Sequence, residues 1–528
     1  MSTFWKRNNR TKAQPQRQAQ SAAGNDEAMH PISAQLASNV SWLCTQLGAS
    51  ADIIAREFAA PASGIEGTLI YIDHLVDKQT VNQNIVHPLL SEIGLHAELR
   101  PTDGMGLLKN KALTVGHIRE IHNLNEALTQ ILEGNTVIFL QGCESAIAAT
   151  SSGGEKRSVE EPKTQTVVKG PKESFTESMD TNLSLIRRRL RSPNLRIEFR
   201  QIGNQTKTKV AVLHMNGITD SKVVDEVMSR LDRINTDSIL DSEYIEEFIQ
   251  DASFTPFSLM LSTERPDAVS AGLLEGQFAI IVDGAPFALL APVTFNNFFF
   301  SSEDYYQRFD IATFLRFIRL GAFFASLLIP SLFIALTTFH QEMIPSPLLI
   351  SLAAQREGVP FPAFVEVLIM ELTFEILREA GVRMPRAVGP AISIAGALVI
   401  GQAAVQAGIV SAALVIVVSF TALANFVIPS VDLSNSMRIV RFIMMMLAAT
   451  LGLFGILCGM MALLFHLASL RSFGVAFLQP LSPFKTDSWR DLFIRMPVWR
   501  MKERPIGESG NQNRQGANPS TSEPRQRE

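Results

Sequence analysis

The stretch that decides the fold begins at Phe361 and reads FPAFVEVLIMELTFEILREAGVRMPRAVG as far as Gly389. From there to Ile428 the sequence stays apolar and contains no ionisable side chain. One helix crosses the hydrocarbon core of a bilayer with roughly 20 residues, so this stretch is longer than one crossing needs. It predicts helices packed against one another in a membrane rather than the core of a soluble domain.

Small residues recur at helical spacing in the second half of this stretch, and two amides stand four residues apart among them. Small side chains let helices approach closely in lipid, and amides can hydrogen-bond across such contacts. We therefore expect a helix-packing face that consists of Ala397, Gly401, Gln402, Ala404, Gln406 and Gly408.

Acidic residues mark the first half of the stretch. On a helix Glu371, Glu375 and Glu379 form one stripe because they follow at four-residue spacing, whereas Glu366 points elsewhere. An ionised carboxylate at the centre of a lipid-facing helix costs about 3 kcal/mol or more. Glu366, Glu371 and Glu375 are therefore candidate residues of an ion path, with Arg378 close enough to pair with the stripe. In the alternative interpretation, the helix lies at the membrane interface and its acids sit in water.

The remaining composition excludes several classes of function. A net charge of −4 argues against a nucleic-acid binder, which needs a concentrated basic face. The three cysteines are widely spaced and suggest neither a disulfide framework nor a metal site. The sequence contains no dinucleotide-binding, P-loop, HExxH or GxSxG motif, so we expect no enzyme, no cofactor and no metal. No apolar run follows the N-terminus, which argues against a secretory signal.

Residues 31–310 have the pattern of a soluble region with alternating strands and helices. Its first half predicts strands at Gly67–Ile72 and Asn135–Leu140, and helices at Ser33–Gly48, Thr80–Leu89, Val115–Glu120 and Ile121–Leu132. Its second half predicts strands at Leu195–Gln201 and Thr208–His214, a helix at Lys222–Ile234, and a hairpin of Gln277–Val282 with Phe287–Pro292 around Asp283-Gly284.

Two polar clusters in this region have competing interpretations. Arg187, Arg188 and Arg189 form either a solvated helix face or a basic surface for anionic lipid or a neighbouring subunit. Thr263–Asp267 contains an acidic pair, but no base or nucleophile stands nearby in sequence. A structural turn is therefore the favoured interpretation of this segment.

The composition divides the chain into an α/β N-terminal region of two small subdomains and a C-terminal all-α transmembrane domain. The predicted segments are a disordered tail (1–30), a first subdomain (31–149), a linker (150–175), a second subdomain (176–310), the transmembrane domain (311–470), a basic cytoplasmic segment (471–503) and a second disordered tail (504–528).

The membrane topology is open at this level. Apolar spans are expected at Ile318–Phe339, Ala391–Gly408, Val410–Ile428 and Ile439–Leu467. Basic residues before the first span and after the last span place both termini in the cytoplasm, and this requires an even number of crossings. Four spans, with Phe361–Leu377 re-entrant, meet that condition but leave Arg383, Arg386, Arg438 and Arg441 poorly placed. Five spans would accommodate these arginines and put the C-terminus outside.

Several segments together resemble one known family. They are PFPAFVEVLIMELTFEILREAGVRMPRAVG (360–389), ALVIGQAAVQAGIVS (397–411), TALANFVIP (421–429), PKESFTESMDTNLSLIRRRLRSPNL (171–195), STERPDAV (262–269), EGQFAIIVDGAPFALLAPVTF (275–295) and EDYYQRF (303–309). With them the chain resembles the A subunits of bacterial spore germinant receptors, the GerA family, over about residues 65–500.

This resemblance implies residence in the spore inner membrane and two partners, a GerB-type membrane subunit that binds the nutrient and a GerC-type lipoprotein. It also implies self-association, as a pentamer in contact with membrane lipid, around a channel for monovalent cations that opens when germinant binds. Two alternatives remain: a SpoVAF-like accessory channel subunit that amplifies germination, and a membrane scaffold without a pore.

Overall fold

The computed structural model describes residues 30–48, 50–59, 65–95, 105–106, 108–109, 113–153, 161–162, 164–384, 399–482, 494–498 and 504. Ala397, Pro385, Arg386 and nearly all of the two terminal tails lie outside these residues.

The first five strands form one antiparallel sheet in the order β1-β2-β4-β5-β3. They are β1 (Ile53–Ala59), β2 (Glu66–Ile72), β3 (Ile118–Ile121), β4 (Thr136–Leu140) and β5 (Ala146–Ala149), and the helices are α1 (Leu36–Leu47), α2 (His87–Leu95, after a π-helix at Val81–Val86) and α3 (Leu124–Leu132). Successive residues of a strand point to opposite faces. Ile138 of β4 accordingly packs in one apolar cluster, and its neighbours Val137 and Phe139 pack in another.

The sequence predicted this sheet in part. The strands expected at Gly67–Ile72 and Asn135–Leu140 are confirmed as β2 and β4, and the helix expected at Ser33–Gly48 is confirmed as α1. The helix expected at Val115–Glu120 is wrong, because that segment enters β3 and pairs with β5 at the sheet edge.

A second antiparallel sheet has the order β6-β7-β9-β10-β8. Its strands are β6 (Leu195–Ile202), β7 (Thr208–Met215), β8 (Leu261–Thr263), β9 (Phe278–Val282) and β10 (Ala288–Ala291), and its helices are α4 (Met179–Arg189), α5 (Ser221–Asp232), α6 (Ser242–Ile249) and α7 (Pro266–Leu274). The expected hairpin is confirmed as β9–β10, with Gly284 at φ 91° in the turn, a conformation that glycine adopts without steric cost.

The two sheets have the same strand order, so the third strand along the chain lies at an edge beside the fifth in both. A buried ion pair joins the two units. The Arg187 Nε and Nη2 atoms donate to the two carboxylate oxygens of Asp52 at 2.8 and 2.9 Å, and the Ser50 hydroxyl donates to the same carboxylate at 2.6 Å. Neither reading of the arginine cluster therefore holds for Arg187, which is not on the surface.

Helices dominate the described chain from Phe309 to Ser469. They are α8 (Phe309–Thr338), α9 (Ser346–Arg356), α10 (Ala363–Arg383), a helical segment at 399–406, α11 (Ala412–Val427) and α12 (Val431–Ser469). Of the described helices, α8 and α12 are long and apolar enough to cross a membrane. One apolar cluster runs through α8, α10, α11 and α12 and reaches Phe295 and Phe298, below the second sheet.

Helix α12 is a hairpin rather than one straight rod. Gly452 has φ 61° and ψ −138°, which are not helical angles. A Cβ on Gly455 would lie 2.1 Å from the carbonyl oxygen of Leu447, and one on Gly459 would lie 2.5 Å from the Met444 sulfur. In a continuous helix residues eight apart are about 12 Å apart, so the limbs 431–451 and 453–469 must run antiparallel. The single tilted span expected at Ile439–Leu467 is therefore wrong.

Both ends of this hairpin lie against the N-terminal region. The Ser436 hydroxyl donates to the Pro256 carbonyl, and Thr255 Oγ1 lies 2.9 Å from His466 Nε2. Two short strands follow, β11 (Arg471–Ser472) and β12 (Val475–Ala476), and the Ser472 hydroxyl donates to the Leu259 carbonyl at 2.7 Å. The predicted fold class is confirmed: an α/β N-terminal region with two sheets precedes an all-α C-terminal region.

Candidate functional site

Helix α10 carries the predicted acids, and the structure gives each of them a different environment. Glu366 is fully buried and accepts a 2.6 Å hydrogen bond from the Ser411 backbone N–H. Ser411 caps the N-terminus of α11, where the helix dipole favours a negative charge. The second oxygen of Glu366 lies 3.5 Å from Arg356 Nε.

Glu371 meets a partner from α12. Its Oε2 accepts from Arg441 Nη1 at 3.0 Å, and the two side chains are 1% and 2% exposed. Among the described residues, Glu371 Oε1 and the Nε and Nη2 atoms of Arg441 have no hydrogen-bond partner. This buried pair is thus joined through one hydrogen bond, although both groups have the geometry for two.

Glu375 makes the next pair along the same two helices. Its Oε2 accepts from Arg438 Nη1 at 2.8 Å, and both side chains are partly exposed. Glu379 forms an ion pair with Arg383 at 2.6 Å, and both side chains are exposed. The expected partner Arg378 instead lies over the Phe426 ring, with 5.7 Å between the guanidinium carbon and the ring centroid.

The pairing follows from antiparallel helices. Glu371 and Glu375 are four residues apart on α10, and Arg441 and Arg438 are three apart on the first limb of α12, in the reverse order. Positions three and four apart share one face of a helix. The sequence signal for this contact is the presence of acids and bases at these spacings in two apolar segments. The pairing of Glu371 and Glu375 with Arg441 and Arg438 was not predicted from that signal.

The predicted packing face is divided in the structure. Gly401 is buried, and a Cβ there would lie 3.6 Å from Val415 of α11. Gly408 has φ 66° and lies against the Gly358 carbonyl, while Ala404 packs partly buried in the apolar cluster. Gln402 and Gln406 are exposed on the chain surface. Ala397 lies outside the described residues.

A third set of charges stands where the two regions meet. Asp304 Oδ2 accepts from Arg316 and Arg319 of α8 at 3.2 and 2.8 Å. Glu246 of α6 is also buried, and the Ser258 hydroxyl donates to its Oε1 at 2.5 Å. Loss of hydration on burial raises the pKa of Glu246 to about 7, and repulsion from Glu243 adds to this shift.

The Thr263–Asp267 segment is a structural turn, in agreement with the favoured interpretation. Glu264 Oε1 accepts from the backbone N–H groups of Thr164 and Gln165 at 2.6 and 2.9 Å. Arg265 donates to Asp267 at 2.8 Å, as does the Tyr306 hydroxyl. Burial and this carboxylate raise the pKa of Tyr306 to about 12. Among the described residues, no group of three or more His, Cys, Asp and Glu side chains could hold a metal ion.

These features define a protein with a two-sheet α/β region joined to a helical bundle, which includes two membrane-capable helices among its described residues and buries acid–base pairs. The GerA family, described as Bacillus/Clostridium GerA spore germination protein, matches residues 41–506. The chain belongs to this family, whose members are A subunits of spore germination receptors, and it is a membrane-associated germination protein.

Several individual proteins are similar to this chain. Spore germination protein KA of Bacillus subtilis (strain 168) is 47% identical over 475 residues, which are 90% of this chain and 87% of that protein. The uncharacterized membrane protein YfkQ of the same strain is 40% identical over 492 residues, 93% of this chain and 95% of that protein. The crystal structure of the N-terminal domain of the A subunit of the Bacillus megaterium spore germinant receptor GerK3 is 31% identical, with a TM-score of 0.41, and covers 51% of this chain and 98% of that domain.

Proposed function

We propose that this chain is the A subunit of a nutrient-responsive receptor of the spore inner membrane and that copies of it assemble around a path for monovalent cations. The observation that carries the proposal is the set of carboxylates buried on α10 among apolar helices. Intramembrane acids are costly and commonly mark ion routes. A scaffold without a pore has no need of them.

The orientation of the helices across the membrane follows from the segments that lie on the same side of the bundle. The N-terminal region, the start of α12 and the strands after α12 are in contact. Arg308, Arg316 and Arg319 precede or begin α8 on this side, so the positive-inside rule places it in the cytoplasm. Both termini are then cytoplasmic.

Six crossings fit these contacts. Helix α8 ends at Thr338, and the next residue, Phe339, lies beside Gly452 at the outer tip of the α12 hairpin. Helix α10 then runs inward, α11 runs inward from Ser411, and the two limbs of α12 run out and back. The described helical segment 399–406 belongs to the remaining outward crossing. This proposed count differs from the four spans expected from the sequence, and with it Arg383 and Arg438 lie toward the cytoplasmic side.

The paired acids correspond to a closed path. Glu366 and Glu371 are buried within one subunit, so neither lines an opening in this arrangement. Opening would separate α10 from the first limb of α12 and expose the carboxylates to cations in place of Arg441 and Arg438. Rings of carboxylates concentrate cations in this way in channels. The proposed assembly contains five copies of this chain, a GerB-type nutrient-binding subunit and a GerC-type lipoprotein. In it, Gln402 and Gln406 face a neighbouring copy.

Potassium release from germinating spores tests the proposal. Glu375→Gln keeps the size and hydrogen-bonding capacity of the side chain but removes the charge, and we expect slower early potassium release at normal receptor levels. Glu379→Gln is the matched control, because Glu379 lies one turn further along α10 on the exposed surface. Release equal to wild type from a stably assembled Glu375→Gln receptor, or an equal decrease in the control, would contradict an ion path at this stripe.

A further inference from the structure

A cavity of about 780 Å³ opens where the last helix meets the second sheet. The end of α12 lines it with His466 and Leu470, and the first turns of α5 line it with Lys222. Phe473 and Pro292 line the apolar part. Binding sites for small ligands commonly measure roughly 300–1,000 Å³ and combine an apolar lining with a few polar groups. This space, here called the junction cavity, has both properties.

Two basic side chains of the junction cavity have no partner of opposite charge among the described residues. Its acids already have partners: Glu226 and Asp251 accept from Arg230 at 2.8 and 2.5 Å, and Asp220 caps α5. Arg230 itself lies over the Phe473 ring, 4.6 Å from the centroid, and is fully committed. Lys222 of α5 and Arg471 of β11 both line this cavity, and neither has an ionic partner among the described residues.

The position of the junction cavity selects the ligand. Arg471 follows directly on the last apolar helix, so in the proposed orientation the cavity lies level with the cytoplasmic headgroups. Phe254, at the rim, exposes its whole side chain, with a relative accessibility of 101%. Aromatic rings are favoured at this boundary, and basic pockets beside membrane helices bind anionic headgroups.

We propose that the junction cavity binds a phosphate group, carried by the headgroup of an anionic phospholipid, between Lys222 and Arg471. A lipid held there contacts the last helix and α5 together and so couples the membrane helices to the second sheet. The proposal rests on the proposed orientation of the helices but not on ion conduction, and its test measures binding alone.

The test uses the full-length protein in a neutral detergent, titrated with fluorescently labelled phosphatidylglycerol. Each basic group near an anionic headgroup contributes about a fivefold gain in affinity. We therefore expect the Lys222→Gln, Arg471→Gln double variant to bind about thirtyfold more weakly than wild type. Lys222→Arg with Arg471→Lys keeps both charges and should retain binding, which separates loss of charge from loss of folding.

Two kinds of control are needed. A variant outside the cavity separates specific binding from general attraction between charges, and competing ligands identify the source of the phosphate. Arg233→Gln removes a cation at the other end of α5, outside the cavity, and should leave binding unchanged. Competition by unlabelled phosphatidylglycerol, but not by phosphatidylcholine or inorganic phosphate, identifies a lipid headgroup, and competition by inorganic phosphate identifies the free anion. Equal affinity in wild type and the Gln double variant, or an equal loss in Arg233→Gln, would overturn the site.

Discussion

Two buried arginine–carboxylate pairs in this molecule differ in how completely they are satisfied. In the pair between the two sheets, both Asp52 oxygens accept from Arg187, and Ser50 donates as well. In the pair between α10 and α12, Glu371 and Arg441 share one hydrogen bond. Among the described residues, three polar atoms of that pair have no partner, whereas in the first pair this holds for Arg187 Nη1 alone. A buried polar atom without a partner costs about 1–3 kcal/mol, so the first pair is a fixed clamp and the second stores free energy that another arrangement can release.

Asp52→Ala tests the clamp and should have the largest effect on stability. The substitution leaves the Arg187 guanidinium buried without its counter-ion, and removal of one partner of a buried pair costs roughly 3–5 kcal/mol. We expect a lower thermal midpoint of the full-length protein. Asp52→Ala combined with Arg187→Met should recover much of the loss, and no recovery would show that Asp52 acts through Ser50 or the backbone instead.

Gly452→Ala tests the hairpin that brings Arg438 and Arg441 to face the acids. Gly452 has φ 61°, and a Cβ there would lie 2.8 Å from the His340 ring and 3.1 Å from Phe339. Strained backbone of this kind costs about 1–3 kcal/mol, so we expect less receptor in the membrane and a lower thermal midpoint. Gly321→Ala in α8 is the matched control, because its Cβ would meet no atom within 4 Å. Unchanged levels of the Gly452→Ala receptor would argue against the sharp reversal.

Glu246 extends the comparison, because this buried acid has no basic partner in the part of the chain that the structure describes. Its pKa is raised from 4.5 to about 7. Between these two pH values the folded protein holds a proton that the unfolded chain has released, so stability falls as pH rises from about 4.5 to 7. The total decrease in the free energy of unfolding over this pH range is on the order of 3 kcal/mol.

Glu246→Gln should remove this dependence. The thermal midpoint of the variant, measured at pH 5 and pH 7.5, should change less than that of wild type. Glu247→Gln, on the exposed side of α6, should behave as wild type. An undiminished pH dependence in Glu246→Gln would assign the effect to other groups.

Gly401→Leu should have the smallest effect on the isolated chain and a clearer one on assembly. Gly401 is near Val415 with little room to spare, so a leucine would push the 399–406 segment away from α11. Van der Waals contact between close helices drives association in lipid. We expect poorer recovery of the receptor complex with a normal soluble region, measured by co-purification, and Ala403→Leu on the exposed face serves as the control.

Local patterns predicted the parts of the fold that local chemistry determines. The apolar runs of β2 and β4 and the Asp283-Gly284 turn gave their strands and hairpin directly. The α12 reversal was missed because Gly452 stands in a uniformly apolar run, where one glycine is a weak signal. The four-residue spacing of the acids was visible, but their partners come from 63 and 70 residues away and depend on that reversal. Arg187 and Asp52, 135 residues apart, are likewise joined by tertiary structure alone.

In the proposed ion path, the Glu371 carboxylate serves cation passage and does more than neutralise Arg441. Glu371→Gln alone leaves a buried guanidinium unpaired, so its effect combines lost function with lost stability. The Glu371→Gln, Arg441→Met double variant removes both charges together and restores neutrality. Potassium release from spores with normal amounts of the assembled double variant is therefore the decisive measurement. We expect potassium release to stay slow in the double variant although assembly recovers. Potassium release at the wild-type rate would show that the pair is structural and that Glu371 has no part in the ion path.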